Sequence, residues 1–112
     1  MTAGDGVVHR EMPSRRMQRD GGRVHAFQLW VNLPRTQKRI APRYQELRAA
    51  AVPALATPDG RGSVRLIAGE ALGGHGPVAT HSPVTVLHAR LDPTGVPELP
   101  CNPVHTVSVY LF

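Results

Sequence analysis

The chain of 112 residues is poor in cysteine, in aromatic residues and in long apolar runs, and each shortage excludes a class of protein. Its one cysteine, Cys101, excludes an intramolecular disulfide and a zinc site built from cysteine pairs. No apolar run approaches the roughly 18 to 20 residues that a membrane-spanning helix needs. The N-terminus lacks the basic region and the long apolar segment of a secretory signal, so we expect a cytoplasmic protein without a membrane partner.

Lysine is also scarce, and the basic charge of the chain comes almost entirely from arginine. Twelve arginines and one lysine, Lys38, give a formal net charge of +5, an excess that can attract nucleic acid. The crowded arginines surround a Gly-Gly loop, and no aromatic residues lie between them to stack on bases. They are Arg10, Arg15, Arg16, Arg19 and Arg23. The sequence therefore argues against a nucleic-acid partner.

Glycine and proline, by contrast, are abundant, and 11 of each interrupt the chain too often for long helices. Residues 13–22 are polar and predict a loop, whereas Pro42 and Pro53 bracket one short helix. Alternation of apolar and polar side chains predicts the strands 23–33, 63–69, 78–81, 84–91 and 105–112. The predicted fold class is all-β, with one short helix in a linker.

The opening stretch, TAGDGVVHREMP at residues 2–13, places two good metal ligands close together. We expect this stretch to form an extended strand, whose side-chain period of two places Val7, His9 and Glu11 on one face. An imidazole and a carboxylate make half of a usual site, since a catalytic metal takes three or more protein ligands. Two interpretations stay open: a ligand pair for a divalent metal, or the polar face of a strand in solvent.

The remaining histidines are weaker candidates as ligands. His25 lies on the apolar face of the predicted strand 23–33, where a structural role is more common. Four others and one glutamate lie in a Gly-rich loop, at strand ends or on predicted strands of the second half, and we expect structural or solvated roles for them. They are Glu70, His75, His81, His88 and His105. The sequence contains no Ser/His/Asp arrangement, P-loop or dinucleotide fingerprint.

Four segments of the chain resemble the pirin family, a branch of the cupin superfamily built from two β-barrel (jelly-roll) domains. They are MTAGDGVVHREMP at 1–13, FQLWVNLP at 27–34, PRYQEL at 42–47 and VRLIAGEALGGHGPV at 64–78. The resemblance implies a partial double cupin. Residues 1–42 would be the C-terminal part of the first barrel, 43–62 a linker with a short helix, and 63–112 the first strands of the second barrel.

The resemblance also implies a metal site. Pirins hold non-haem iron or another divalent ion with three histidines and one glutamate inside the first barrel. By position in the His-x-Glu element, His9 and Glu11 match two of these four ligands. The other two belong to a His-Pro-His-Arg-Gly segment that this sequence does not contain. We therefore expect a fragment that lacks the start of the first barrel and the end of the second, and that carries half of the site.

Some pirins are similar to flavonol (quercetin) dioxygenases, in which a glutamate ligand also acts as a base toward the substrate hydroxyl. The resemblance thus implies a metal-dependent oxygenase for a flavonol-like aromatic substrate, with Glu11 as the candidate base. The alternative is a non-enzymatic, metal-responsive regulator that binds transcription factors or metabolic enzymes. A third hypothesis is that these residues alone are inactive. Because partial barrels expose unpaired strand edges, we also expect poor folding cooperativity or aggregation.

Overall fold

The computed structural model describes residues 1–112 and divides them into two compact units, residues 1–44 and residues 45–112. The fold is all-β, as predicted, with five strands in antiparallel sheets and one α-helix, as expected for part of a cupin-type protein. No helix is both long enough and apolar enough to cross a membrane. The role of residues 43–62 as a linker between two barrels stays a prediction.

Unit 1 contains the α-helix, in a segment where the sequence predicted a loop. Helix α1 spans Arg15–Asp20. The hydroxyl of Ser14 caps it by accepting a hydrogen bond from the Met17 N–H at 3.3 Å, and Gly21, with φ at 68°, ends it. The loop prediction was wrong, because it rested on the polar composition of the segment and did not include the two caps at Ser14 and Gly21 that stabilise a short helix.

The predicted strands of unit 1, residues 2–13 and 23–33, are not part of any sheet. A strand needs a neighbouring backbone for its hydrogen bonds, and the only β-type pairing in this unit is an isolated bridge between Thr2 and Arg43. No second layer covers the apolar face of 23–33, where Leu29 remains 69% exposed. The alternation is therefore present in the sequence, but the strand prediction for both segments was wrong.

A tight turn at the start of unit 1 holds the first residues of the opening segment against residues 40–43. Thr2 and Arg43 exchange two backbone hydrogen bonds of 2.7 and 2.9 Å, and the Asp5 N–H donates to the Ile40 carbonyl at 3.0 Å. Between them Gly4 has φ at 53°, and a Cβ at this position would collide with the carbonyl of Ile40. Only glycine fits there without strain, so the turn ties the opening segment to residues 40–43.

Unit 2 contains the sheet. Strands β1 (Ala54–Ala56), β2 (Gly62–Ala68) and β5 (Val86–Leu91) form an antiparallel sheet in the order β1-β2-β5. Strands β3 (Glu70–Ala71) and β4 (Gly74–His75) form a short hairpin. Strands β2 and β5 confirm the predictions for 63–69 and 84–91, where the apolar alternation is strongest.

The core of unit 2 lies on one face of β2. Val64, Leu66 and Ala68 are at most 1% exposed, and Ala71 of β3 adjoins them at 7%. Their spacing of two along β2 is the periodicity that the sequence shows, and it places them together under the sheet. These four are the buried hydrophobic residues of the whole chain.

Three predicted elements of unit 2 are shorter than expected or absent. The helix predicted between Pro42 and Pro53 is reduced to the single 3₁₀ turn Ala49–Ala51. Within this segment the Gln45 side-chain amide instead exchanges two hydrogen bonds with the backbone of Ala79, at 2.9 and 3.0 Å. The predicted strand 78–81 is limited to one bridge from Val78 to β2. Residues 105–112 form no strand, so that prediction was also wrong.

A Pro-Asp-Gly turn at residues 58–60 connects β1 to β2, and the Asp59 side chain stabilises it. Its carboxylate accepts hydrogen bonds from the Thr57 hydroxyl at 2.6 Å, the Arg61 N–H at 3.1 Å and the Val96 N–H at 3.0 Å. These bonds, that of Thr57 first, lower the pKa of Asp59 below its usual value.

Candidate metal site

His9 and Glu11 lie side by side on the segment that follows the Gly4 turn. The Nε2 atom of His9 is 3.8 Å from the Oε1 atom of Glu11, and the two side chains are 40% and 73% exposed. The spacing of two residues therefore brings the imidazole and the carboxylate together although no strand forms. Their roles as metal ligands, and that of Glu11 as a base, stay predictions.

The distance between these two donors is close to what a divalent ion requires. Bonds of about 2.1 Å to each donor would need them about 3.0 to 3.4 Å apart for octahedral or tetrahedral angles. Side-chain rotations that move the two atoms closer by less than about 1 Å bring Nε2 and Oε1 into that range. The chain offers no group of three or more His, Cys, Asp or Glu side chains that could hold a metal. The pair fits a metal as two ligands of a larger set.

A third side chain touches this pair. The side-chain amide of Gln28 donates a hydrogen bond to Glu11 Oε1 at 3.3 Å, across a separation of 17 residues. Gln28 was not predicted as a site residue, and in the sequence it falls on the polar face of the run 23–33. The available signal was its position as an amide within the otherwise apolar stretch FQLW. Glu11 Oε1 is thus the atom at which the imidazole and the amide meet.

A pocket of about 390 Å³ opens beside His9 within unit 1. Small-molecule sites typically range from about 300 to 1,000 Å³, are mostly apolar and contain a few polar groups. This one has that composition, with His9 and Arg43 as its polar members. The apolar lining consists of Met1, Val7, Val8, Pro42 and Tyr44.

The other candidates include one more exposed His–Glu pair, which lies outside the His-x-Glu element. His75 Nδ1 lies 3.5 Å from Glu70 Oε1 across the β3–β4 hairpin, with both side chains at least 75% exposed. The His88 ring stacks on Phe112, with the ring centroids 5.6 Å apart. No group of three or more metal-binding side chains includes any of the remaining histidines, which are His25, His81 and His105.

The chain was compared with known proteins. No protein-family model matches it, and no solved structure matches it significantly. A Pseudomonas aeruginosa protein named "Putative quercetin 2,3-dioxygenase" is 44% identical over 91 residues, which are 81% of this chain and 32% of that protein. Mouse pirin is 45% identical over 92 residues, 82% of this chain and 29% of pirin.

A third relative, a pirin-like protein of Caulobacter vibrioides, is 48% identical over 69 residues, or 62% of this chain and 23% of the relative. The chain therefore spans about a third or less of the length of these curated relatives. Within that span the identity is high and extends over both units. The chain belongs to the pirin family.

Proposed function

We propose that His9 and Glu11 are two of the ligands of a divalent metal, non-haem iron by preference, in a pirin-type site that oxygenates a flavonol-like aromatic substrate. The observation that carries the proposal is the 3.8 Å approach of His9 Nε2 to Glu11 Oε1 on one side of the opening segment. The name of the Pseudomonas aeruginosa relative supports the reaction class.

The side chains have separate roles in this proposal. The ion, when bound with open positions, supplies the chemistry with dioxygen and with a chelating substrate. His9 and Gln28 both contact the Glu11 carboxylate at Oε1, so Oε2 is available to accept the proton of a substrate hydroxyl. The pocket beside His9, with a volume of about 390 Å³ and a mostly apolar lining, has room for an aromatic ring system.

Two ligands bind a metal less tightly than four, and both ligands here are exposed to water. We therefore propose that these 112 residues hold the ion weakly and do not turn substrate over without further donors. The activity belongs to a site of which this chain supplies one half.

The first prediction concerns metal affinity. Calorimetric titration of the chain with Co²⁺ should show one weak binding site. His9→Ala or Glu11→Ala should each lower the Co²⁺ affinity at least about tenfold, since each removes one of two donors. His75→Ala is the matched control, because it disrupts another exposed His–Glu pair of similar separation. Equal losses in all three variants would contradict the proposal.

A chimera separates the oxygenase from the alternative, a non-enzymatic metal-responsive regulator. Residues 1–44 of this chain replace the matching segment of the Pseudomonas aeruginosa relative, and quercetin consumption is measured with added Fe²⁺. The oxygenase proposal expects turnover that His9→Ala abolishes in the chimera. Retained iron without turnover, when the unmodified relative is active, favours the regulator.

A further inference from the structure

A hydrogen bond between the Gln28 amide and the Glu11 carboxylate joins the two segments nearest the proposed metal. We infer that Gln28 is a positioning residue that holds the Glu11 carboxylate in its metal-binding orientation. This inference rests on the proposed metal function of His9 and Glu11. It assigns to residues 23–33 of unit 1 a role that the exposed apolar face of this run does not explain.

The geometry supports this role at the level of single atoms. Gln28 Nε2 lies 3.3 Å from Glu11 Oε1, and His9 Nε2 lies 3.8 Å from the same oxygen. A carboxylate oxygen has two lone pairs, so Oε1 can accept the amide N–H and still face an ion beside the imidazole. The Glu11 side chain is 73% exposed, and an exposed glutamate otherwise samples many rotamers. The amide restricts that sampling.

The chemical type of Gln28 suits the task. A lysine or arginine at this position would form an ion pair with Glu11 and compete with a metal cation for the carboxylate. A neutral amide donates a hydrogen bond without neutralising the carboxylate, so the full negative charge stays available to the ion. Hydrogen-bond partners of ligating carboxylates typically change metal affinity by about 10- to 100-fold when they are removed. Because this bond is exposed, we expect the lower end of that range.

The test uses Gln28→Met, which keeps the length of the side chain and removes the donor. Calorimetric titration of the full chain with Co²⁺ should show an affinity about five- to tenfold below that of the unmodified chain. The visible absorption spectrum of bound Co²⁺ should also change, because the carboxylate would be free to change its mode of binding. Gln18→Met is the matched control, since the Gln18 amide donates to the Pro13 carbonyl and not to Glu11.

A double-mutant cycle distinguishes positioning from a general structural role. If Gln28 acts through the carboxylate, Gln28→Met should cause no further loss of Co²⁺ affinity in a Glu11→Gln background. The same loss in both backgrounds would overturn the inference, as would an unchanged affinity and spectrum in the single variant. A chain that binds no Co²⁺ at all overturns the proposed function together with the inference, so the two failures are distinguishable.

A second readout needs no metal. In the metal-free chain, the side-chain amide signal of Gln28 in a ¹⁵N–¹H spectrum should shift when Glu11 is replaced by alanine, whereas the signal of Gln18 should not. Coincident Gln28 signals in the two proteins would overturn the inference. A shift comparable to that of backbone amides in contact with the carboxylate supports it.

Discussion

At the scale of single residues, the Asp59 carboxylate shows how an exposed side chain can organise the backbone around it. Its two oxygens accept bonds from Thr57, from Arg61 and from Val96, which lies 37 residues further along the chain. The turn between β1 and β2 is thereby tied to the segment that follows β5. These bonds favour the ionised form of the carboxylate, which is why the pKa of Asp59 is lowered.

This shift predicts a pH dependence of stability. The pKa of Asp59 is lower in the folded chain than in the unfolded one, so its contribution is fully present above the unfolded value of about 3.9 and is lost as the pH falls through the folded pKa. Asp59→Asn should therefore lower the melting temperature at pH 7, and the difference from the unmodified chain should shrink below about pH 4.

Thermal melts followed by circular dichroism between pH 2.5 and pH 7 measure this difference. Asp92→Asn is a suitable control, because Asp92 also lies in a turn of unit 2 but accepts none of the bonds described for Asp59. A difference between Asp59→Asn and the unmodified chain that stays constant across the pH range would contradict the prediction.

The candidate site was predictable from sequence to the extent that its geometry is local. His9 and Glu11 meet because residues two apart share a side of any extended segment, whether or not a strand forms. Gln28 reaches Glu11 across 17 residues, a contact that depends on how two segments are placed in space. Periodicity carries no information about such placement, so the third member of the site emerged only from the structure.

At the scale of elements, β2 is the strand that holds unit 2 together. It pairs with β1 on one side and β5 on the other, and it contributes Val64, Leu66 and Ala68 to the core. Of these side chains, Leu66 and Val64 are the largest that are fully buried. Removing either would leave a cavity that the few neighbouring apolar groups are poorly able to fill.

Leu66→Ala should therefore destabilise unit 2 by about 2 to 5 kcal/mol, as expected for a fully buried leucine. Leu47→Ala, at a position 39% exposed, is the matched control and should cost less than about 1 kcal/mol. Urea unfolding monitored by circular dichroism compares the two. Similar costs for both variants would show that the face of β2 is not the core.

The strands that were predicted correctly are those that have both a regular apolar alternation and a neighbouring strand to pair with. Strands β2 and β5 alternate regularly and lie next to each other in one sheet. The run 23–33 alternates equally well, yet it joins no sheet. A hydrophobic pattern indicates which face tends to be buried, but it does not specify a neighbouring strand. Helix α1 was missed for the opposite reason, since two local caps form it without an apolar stripe.

At the scale of the whole molecule, buried apolar residues are few and unevenly distributed. The four buried hydrophobic residues all belong to unit 2, and unit 1 contains no buried residue. Many large apolar side chains in both units remain exposed, among them Trp30 at 86% and Leu111 at 88%. A core of this size offsets little of the conformational entropy that folding costs.

We therefore predict weak folding cooperativity for the isolated chain. Scanning calorimetry should give a broad transition that depends on protein concentration, and the dye ANS should bind at room temperature, because apolar surface is accessible. The fluorescence of Trp30 should change little on addition of urea, since the indole is already exposed. A sharp, reversible transition that is independent of concentration would contradict this prediction.

The spacing of His9 and Glu11 has a consequence for the order in which a metal site is assembled. Two donors on one short segment act as a chelate, because capture of an ion by one makes the approach of the other an intramolecular step with a high effective concentration. This chelate effect requires only residues 9–11 and does not depend on the formation of a sheet. On the proposed metal function, the opening segment would therefore bind an ion before the remaining donors complete the site.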